Sequence, residues 1–268
     1  NFNYSFTGLT DNTSYYIRSY ATNSIGTAYG STINFTTTEI TAPTVAATTA
    51  TNVSYTSVTL GGNVTNENGA TVTERGVCYG TSTNPTINDN KVTAENGTGT
   101  FTVSVANLAD GVTFYARAYA INERGITYGE AVSFTTTKIT APTVTTTATS
   151  NVSYTTVTLG GNVTNANGAT VTERGICWGT SANPTISYKK AVGNGTGSFT
   201  ANITGLSDGT KYYVKAYATN ERGTSYGEEK TFTTTKITTP TITTSAASNI
   251  SYTTVTLGGT ATAGNGST

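Results

Sequence analysis

The stretch LSDGTKYYVKAYATNERG, Leu206 to Gly223, decides how this chain is read. Tyr212, Val214, Ala216 and Ala218 fall on one side of it and Tyr213, Lys215 and Tyr217 on the other, the period of two that a β-strand imposes. Asp208-Gly209 precedes this run and Gly223 closes it, and such residues tolerate the positive φ of tight turns. The local reading is therefore a strand between two turns. The same alternation marks Val58 to Val64 and Phe199 to Ile203, and Asn-Gly or Asp-Gly pairs begin at Asn68, Asn96, Asp110, Asn167 and Asn194. No stretch has helical period. Short strands and frequent turns, about seven strands per hundred residues, are the arithmetic of a two-sheet sandwich.

The stretch is also one copy of a repeat. Tyr20, Tyr119 and Tyr217 recur at 99 and 98 residues, as do Pro43, Pro142 and Pro240, so one residue is deleted near Gly193 in the later copy. Two complete units are expected, at 39–137 and 138–235. Residues 1–38 match only the last part of a unit and 236–268 only the first part. A partial sandwich would expose strand edges and an unfilled core face, so the chain reads as a window on a longer array. The alternative is that the partial unit of one molecule docks with that of the next.

In each unit the last third is specific enough to resemble a known family. Leu206, Tyr212, Val214, Ala216, Ala218, Asn220 and Gly223, repeated as Leu9, Tyr15, Ile17, Ser19, Ala21, Asn23 and Gly26, closely resemble the E–F corner, F strand and F–G turn of fibronectin type III domains. The resemblance implies an all-β, seven-stranded immunoglobulin-like sandwich in tandem, strands A, B and E facing C, F and G. It implies a tyrosine corner, in which the hydroxyl bonds back to the E–F loop. Two departures are visible. Phe114 stands where the corner tyrosine should be, and Gly62 and Gly161 stand where the family carries a strand-B tryptophan. Tyr79 and Trp178, with Val77 and Ile176, are expected to turn inward and refill that volume.

If so, Gly76, Cys78 and Gly80 face outward beside Tyr115, Arg117 and Tyr119 of strand F, with Tyr213, Lys215 and Tyr217 as their counterparts. The structural reading is that these rings cover strand glycines. The functional alternative is a repeated tyrosine and cation face that binds glycan or a neighbouring chain. Cys78 and Cys177 occupy equivalent places in successive units, so they are expected to lie too far apart to pair with each other. They read either as small apolar strand residues or as interchain thiols between laterally packed chains.

Chemistry is scarce. The chain has no histidine, and its 14 basic and 14 acidic residues give no net field to attract nucleic acid or an anionic membrane. No membrane-spanning run, zinc site, calcium loop or phosphate loop is present in the sequence. Asn88-Asp89-Asn90 reads as a turn, because Ser187-Tyr188-Lys189 replaces it one unit later. The Glu-Arg-Gly triplets at Glu123 and Glu221 read as F–G turns with solvated charges, and no Arg-Gly-Asp occurs. Asn-X-Ser/Thr triplets abound, but the repeats look like secreted bacterial arrays, in which that signal is not expected to carry sugar. The join Phe134 to Val144 leaves about three to five residues between sandwiches, short enough for a semi-rigid string.

The expectation is an extracellular, cell-surface structural protein: no enzyme, no cofactor, no metal, the repeat segment of a bacterial stalk, fibre or filament. Its partners are neighbouring repeats, identical chains in a fibre, or glycan. The alternatives are an adhesin or carbohydrate-binding array using the tyrosine face, and spacer modules of a secreted polysaccharide-degrading enzyme.

Overall fold

Strand follows strand with no helix in the computed structural model, which describes residues 1–266. Two units divide the chain, Asn1–Lys138 and Ile139–Thr268. The first opens with β1 (Ser14–Ile17), β2 (Tyr20–Thr22), β3 (Thr27–Tyr29) and β4 (Ile33–Thr36), in which β1 pairs with β4 and β2 with β3. A full sandwich follows: β5 (Thr44–Thr51), β6 (Val58–Asn66), β7 (Glu74–Gly80), β8 (Asn90–Ala94), β9 (Gly99–Val105), β10 (Thr113–Asn122), β11 (Gly125–Tyr128) and β12 (Val132–Thr135).

Its sheets run β5-β6-β9 and β11-β10-β7-β8, with β12 also on β10. These are strands A-B-E against G-F-C, the fibronectin type III arrangement. The last strand is split in two, and β8 is the seventh strand, an edge strand beside β7. The second unit repeats the plan with β13 (Thr143–Thr146), β14 (Val157–Asn165), β15 (Glu173–Gly179), β16 (Lys189–Gly193), β17 (Gly197–Ile203), β18 (Lys211–Asn220), β19 (Gly223–Tyr226) and β20 (Lys230–Thr233). It ends with β21 (Thr241–Thr244) paired with β22 (Gly259–Thr262).

Alternation in the sequence becomes alternation in burial. Val58, Leu60 and Val64 of β6 meet Val77 of β7 and Ala116 and Ala118 of β10 in one core; Val157, Leu159, Val163, Ile176, Ala216 and Ala218 form its counterpart. At Gly62 the sheets come close, since a β-carbon there would stand 2.4 Å from that of Ala118. The ring beside this glycine is Phe101, directly across from it on β9, and Phe199 lies likewise beside Gly161. Tyr79 and Trp178 do pack against the cores, half-buried. The strand-B glycines are nevertheless filled by phenylalanines of the adjoining strand and by close approach of the sheets.

Polar ties close the sandwich. Thr48 accepts the Ala118 amide at 2.8 Å and donates to the Glu130 carbonyl, fastening β5 to the opposite sheet; Thr146 accepts the Ala216 amide at 3.0 Å. Buried Asn122 donates to the carbonyls of Thr41 (2.8 Å) and Glu67 (3.1 Å), and Asn220 does the same to Thr140 and Ala166. A buried amide so placed is satisfied by backbone groups that would otherwise lack partners.

Candidate functional site

The outer face of the five-stranded sheet carries the residues singled out from sequence. Register sets Tyr115 opposite Gly80, Arg117 opposite Cys78 and Tyr119 opposite Gly76, so all six share that face. Tyr213, Lys215 and Tyr217 stand opposite Gly179, Cys177 and Gly175. The direction of these side chains is as expected, but their accessibility is not. Tyr119 and Tyr217 have no exposed surface, and neither do Cys78 and Cys177.

The loop between β7 and β8 lies against Cys78 and Tyr128, and Lys91 of β8 lies over the Tyr119 ring. Pro85 is buried, its carbonyl oxygen lies 3.2 Å from the Cys78 sulfur, and the Ile87 amide donates to the Tyr128 hydroxyl at 3.2 Å. The loop of the second unit makes the same contacts, Cys177 to Pro184 and Ile186 to Tyr226. Tyr20, at the position equivalent to Tyr119 but without such a loop or a β7 beside it, is 67 % exposed. An open tyrosine face at Tyr119 and Tyr217 is therefore corrected to a second, smaller core. Interchain thiols at Cys78 and Cys177 are corrected for the same reason. Tyr115, Arg117, Tyr213 and Lys215 remain half-buried around it. The signal that could have revealed the loop is Pro85 and Ile87, two apolar residues inside an otherwise polar segment.

A carboxylate anchors this second core. The Tyr119 hydroxyl donates to Glu74 at 2.7 Å, and Lys91 reaches the same oxygen at 2.7 Å. Tyr217, Glu173 and Lys189 repeat the triad. Bonds from Lys91 and Tyr119 hold the Glu74 carboxyl below its usual range, and those from Lys189 and Tyr217 do so for Glu173. Burial, then the hydrogen bond to glutamate, pushes both tyrosines far above the ordinary phenol range. Burial also raises the Cys78 thiol and pushes Cys177 up to about 11. Neither thiol is poised as a nucleophile, which would need a depressed pKa. Glu74 and Glu173 are the first residues of β7 and β15.

The tyrosine corner is present where the sequence permits it. Tyr15 accepts the Thr10 amide at 2.9 Å and Tyr212 the Ser207 amide at 3.0 Å. Phe114 keeps the ring and its stack on Phe134, 5.7 Å between centroids, without a hydroxyl to offer.

One concavity on the second unit is lined by aromatic rings. Trp178 and Tyr188 meet edge to face at 4.8 Å and line a cavity of about 270 Å³ with Ser181, Asn183 and Thr185. Asn183 has φ +59°, its amide donates to Glu229, and its side-chain oxygen accepts Lys215 at 2.9 Å. The first unit has Tyr79 opposite Asn90 at the corresponding place. Among the described residues no group of three or more His, Cys, Asp or Glu could hold a metal ion. No helix among the described residues is long and apolar enough to cross a membrane.

No protein-family model matches the chain, and no curated protein sequence does. Among solved structures, the FN1-FN3 domains of chicken CNTN1 are similar at 15 % identity and a TM-score of 0.31, covering 85 % of this chain and 78 % of that one.

Proposed function

We propose that the chain is a repeat segment of an extracellular structural protein, part of a bacterial surface stalk, fibre or filament. The observation that carries this reading is that each complete sandwich spends its chemistry on itself. Its tyrosines, glutamate, lysine and thiol form an inner polar cluster, and its buried asparagine and threonines tie strands and connecting segments together. A module of that kind transmits load and holds other parts at a distance. Electron microscopy of the native material tests it. A strand one sandwich wide with an axial repeat of about 35–40 Å, from strand rise and sandwich size, supports a covalent stalk. Compact isolated particles overturn it.

A second reading, glycan binding, is favoured at a different place from the tyrosine face. Trp178 and Tyr188 offer aromatic surface to the apolar side of a sugar ring, and Ser181, Asn183 and Thr185 offer hydrogen bonds around it. Trp178 is the one tryptophan of the chain, so its emission reports on this cavity alone. A saturable change with soluble polysaccharide that Tyr188→Ser abolishes supports the reading. An unchanged spectrum removes it.

A further inference from the structure

We propose that the carboxylate of the E–F turn is the docking point by which one repeat grips the next. The turn before β1 carries Asp11. One oxygen of its carboxylate accepts the Ile40 amide at 3.1 Å, in the segment leading to the following sandwich, and the other accepts the Arg124 guanidinium at 2.5 Å. Arg124 belongs to the turn between β10 and β11, at the near pole of that sandwich, and lies 113 residues away in sequence. A single side chain thus holds both the connecting segment and the body beyond it. Two anchor points on different parts of the next repeat restrict rotation where one would leave a swivel.

The connecting segment is pinned on both sides of this carboxylate. Thr37 donates its hydroxyl to the Thr10 carbonyl at 2.6 Å and its amide to Thr13 at 3.0 Å, while the Thr41 amide donates forward to the Asn68 carbonyl at 3.3 Å. Thr38 and Glu39 are all that lie between the Thr37 and Ile40 anchors, fewer than the three to five free residues read from sequence. The second unit supplies an independent instance of the turn's grip on the connecting segment, since the Asp208 carboxylate accepts the Ile237 amide at 3.0 Å. In sequence the same residue types return at Asp110, Ile139 and Arg222, so the elements of the joint occur once per repeat. The Glu-Arg-Gly turn accordingly has a purpose beyond solubility: it presents an arginine to the preceding repeat. Asp11 keeps only 18 % of its side-chain surface exposed, and Arg124 keeps 43 %. The pair is therefore partly shielded and still sensitive to salt.

This deepens the stalk reading and rests on it only for the use of the stiffness. The experiment is a spin-label distance distribution on the full chain, between cysteines introduced at exposed Ser31 and Ser82. The native thiols are buried, and a chain without the introduced pair serves as the labelling control. The expected result is a narrow distribution that at least doubles in width with Arg124→Gln, with Asp11→Asn, and in 1 M salt. Combining the two substitutions adds no further width, because both remove one bond. Arg124 sits on an exposed turn, so its variant keeps the fold of both bodies. A distribution that is broad from the start, or one that neither substitution alters, overturns the proposal. If microscopy finds no fibre while the width still depends on this pair, the stalk reading falls and the joint stands.

Discussion

Gly76 and Tyr119 face each other on neighbouring strands, and a β-carbon placed on Gly76 would stand 3.0 Å from the tyrosine hydroxyl, 2.9 Å from the Thr93 α-carbon and 2.2 Å from the Val92 carbonyl oxygen. The glycine exists to let a buried ring and an edge strand share one space. Gly76→Ala is expected to cost about 1–3 kcal/mol through forced displacement of β8 and the ring. Gly80→Ala, four residues on and with nothing within 4 Å, is the near-neutral comparison. Denaturant midpoints of the two variants check this.

The corner position gives a matched pair of tests. Tyr212→Phe removes the bond from the Ser207 amide and is expected to destabilise the second unit by about 1 kcal/mol. Phe114→Tyr supplies the missing hydroxyl and is expected to stabilise the first unit by up to about the same amount. Calorimetry of the full chain reads both as shifts of separate transitions, since units of a multidomain chain need not unfold together.

Alkaline pH should loosen the second core. Cys177 rises from 9.0 to about 11 on folding and Tyr217 rises as well, so in both the neutral form is the one the fold favours. Stability from Cys177 is fully present below pH 9 and is lost as pH climbs toward 11, by roughly 2–3 kcal/mol for two pH units. Glu173 runs the other way: its lowered pKa contributes above the ordinary glutamate range and is lost as pH falls through the folded value. Denaturation at pH 7, 9 and 10.5 checks the alkaline limb, and Cys177→Val should flatten it. Native protein at pH 8 should leave both thiols unreacted with an aromatic disulfide reagent.

The deletion near Gly193 leaves a mark that can be measured. Arg75 donates its Nε to the Glu95 carbonyl and its Nη1 to those of Thr98 and Gly99, and its guanidinium lies 5.0 Å from the Phe101 ring centre. In the second unit the loop from Gly193 to Gly197 is one residue shorter, and Arg174 Nε is buried without a partner. An orphaned buried donor costs about 1–3 kcal/mol. Arg75→Met is therefore expected to destabilise its unit by more than Arg174→Met does, in the same denaturation experiment.

The strands were legible because alternation and turn residues are local properties. β6, β17 and β18 cover the runs that alternate at Val58–Val64, Phe199–Ile203 and Tyr212–Ala218. The parity of Tyr119 was legible for the same reason. Its burial was not, because the groups set against it, Glu74 and Lys91, come from β7 and β8, about thirty to forty-five residues away, and only the pairing of those strands brings them together. Phe101 beside Gly62 escaped notice similarly: which neighbouring strand supplies the ring depends on register, and register is settled by the whole sheet. Arg124 reads as a solvated turn charge, and its pairing with Asp11 is not legible, because sequence does not say that one repeat's turn meets another's.

β6 and β14 are the same nine residues, VTLGGNVTN, each sheltered between two partner strands. During refolding, neither sandwich can therefore recognise its own central strand by its side chains. The choice falls to chain connectivity: the nearer strand closes a shorter loop, and loop closure grows costlier with length. That preference is kinetic and shallow. An array made of such copies is prone to strand exchange between neighbours whenever several repeats unfold at once, so synthesis one repeat at a time is its safest route to the native order.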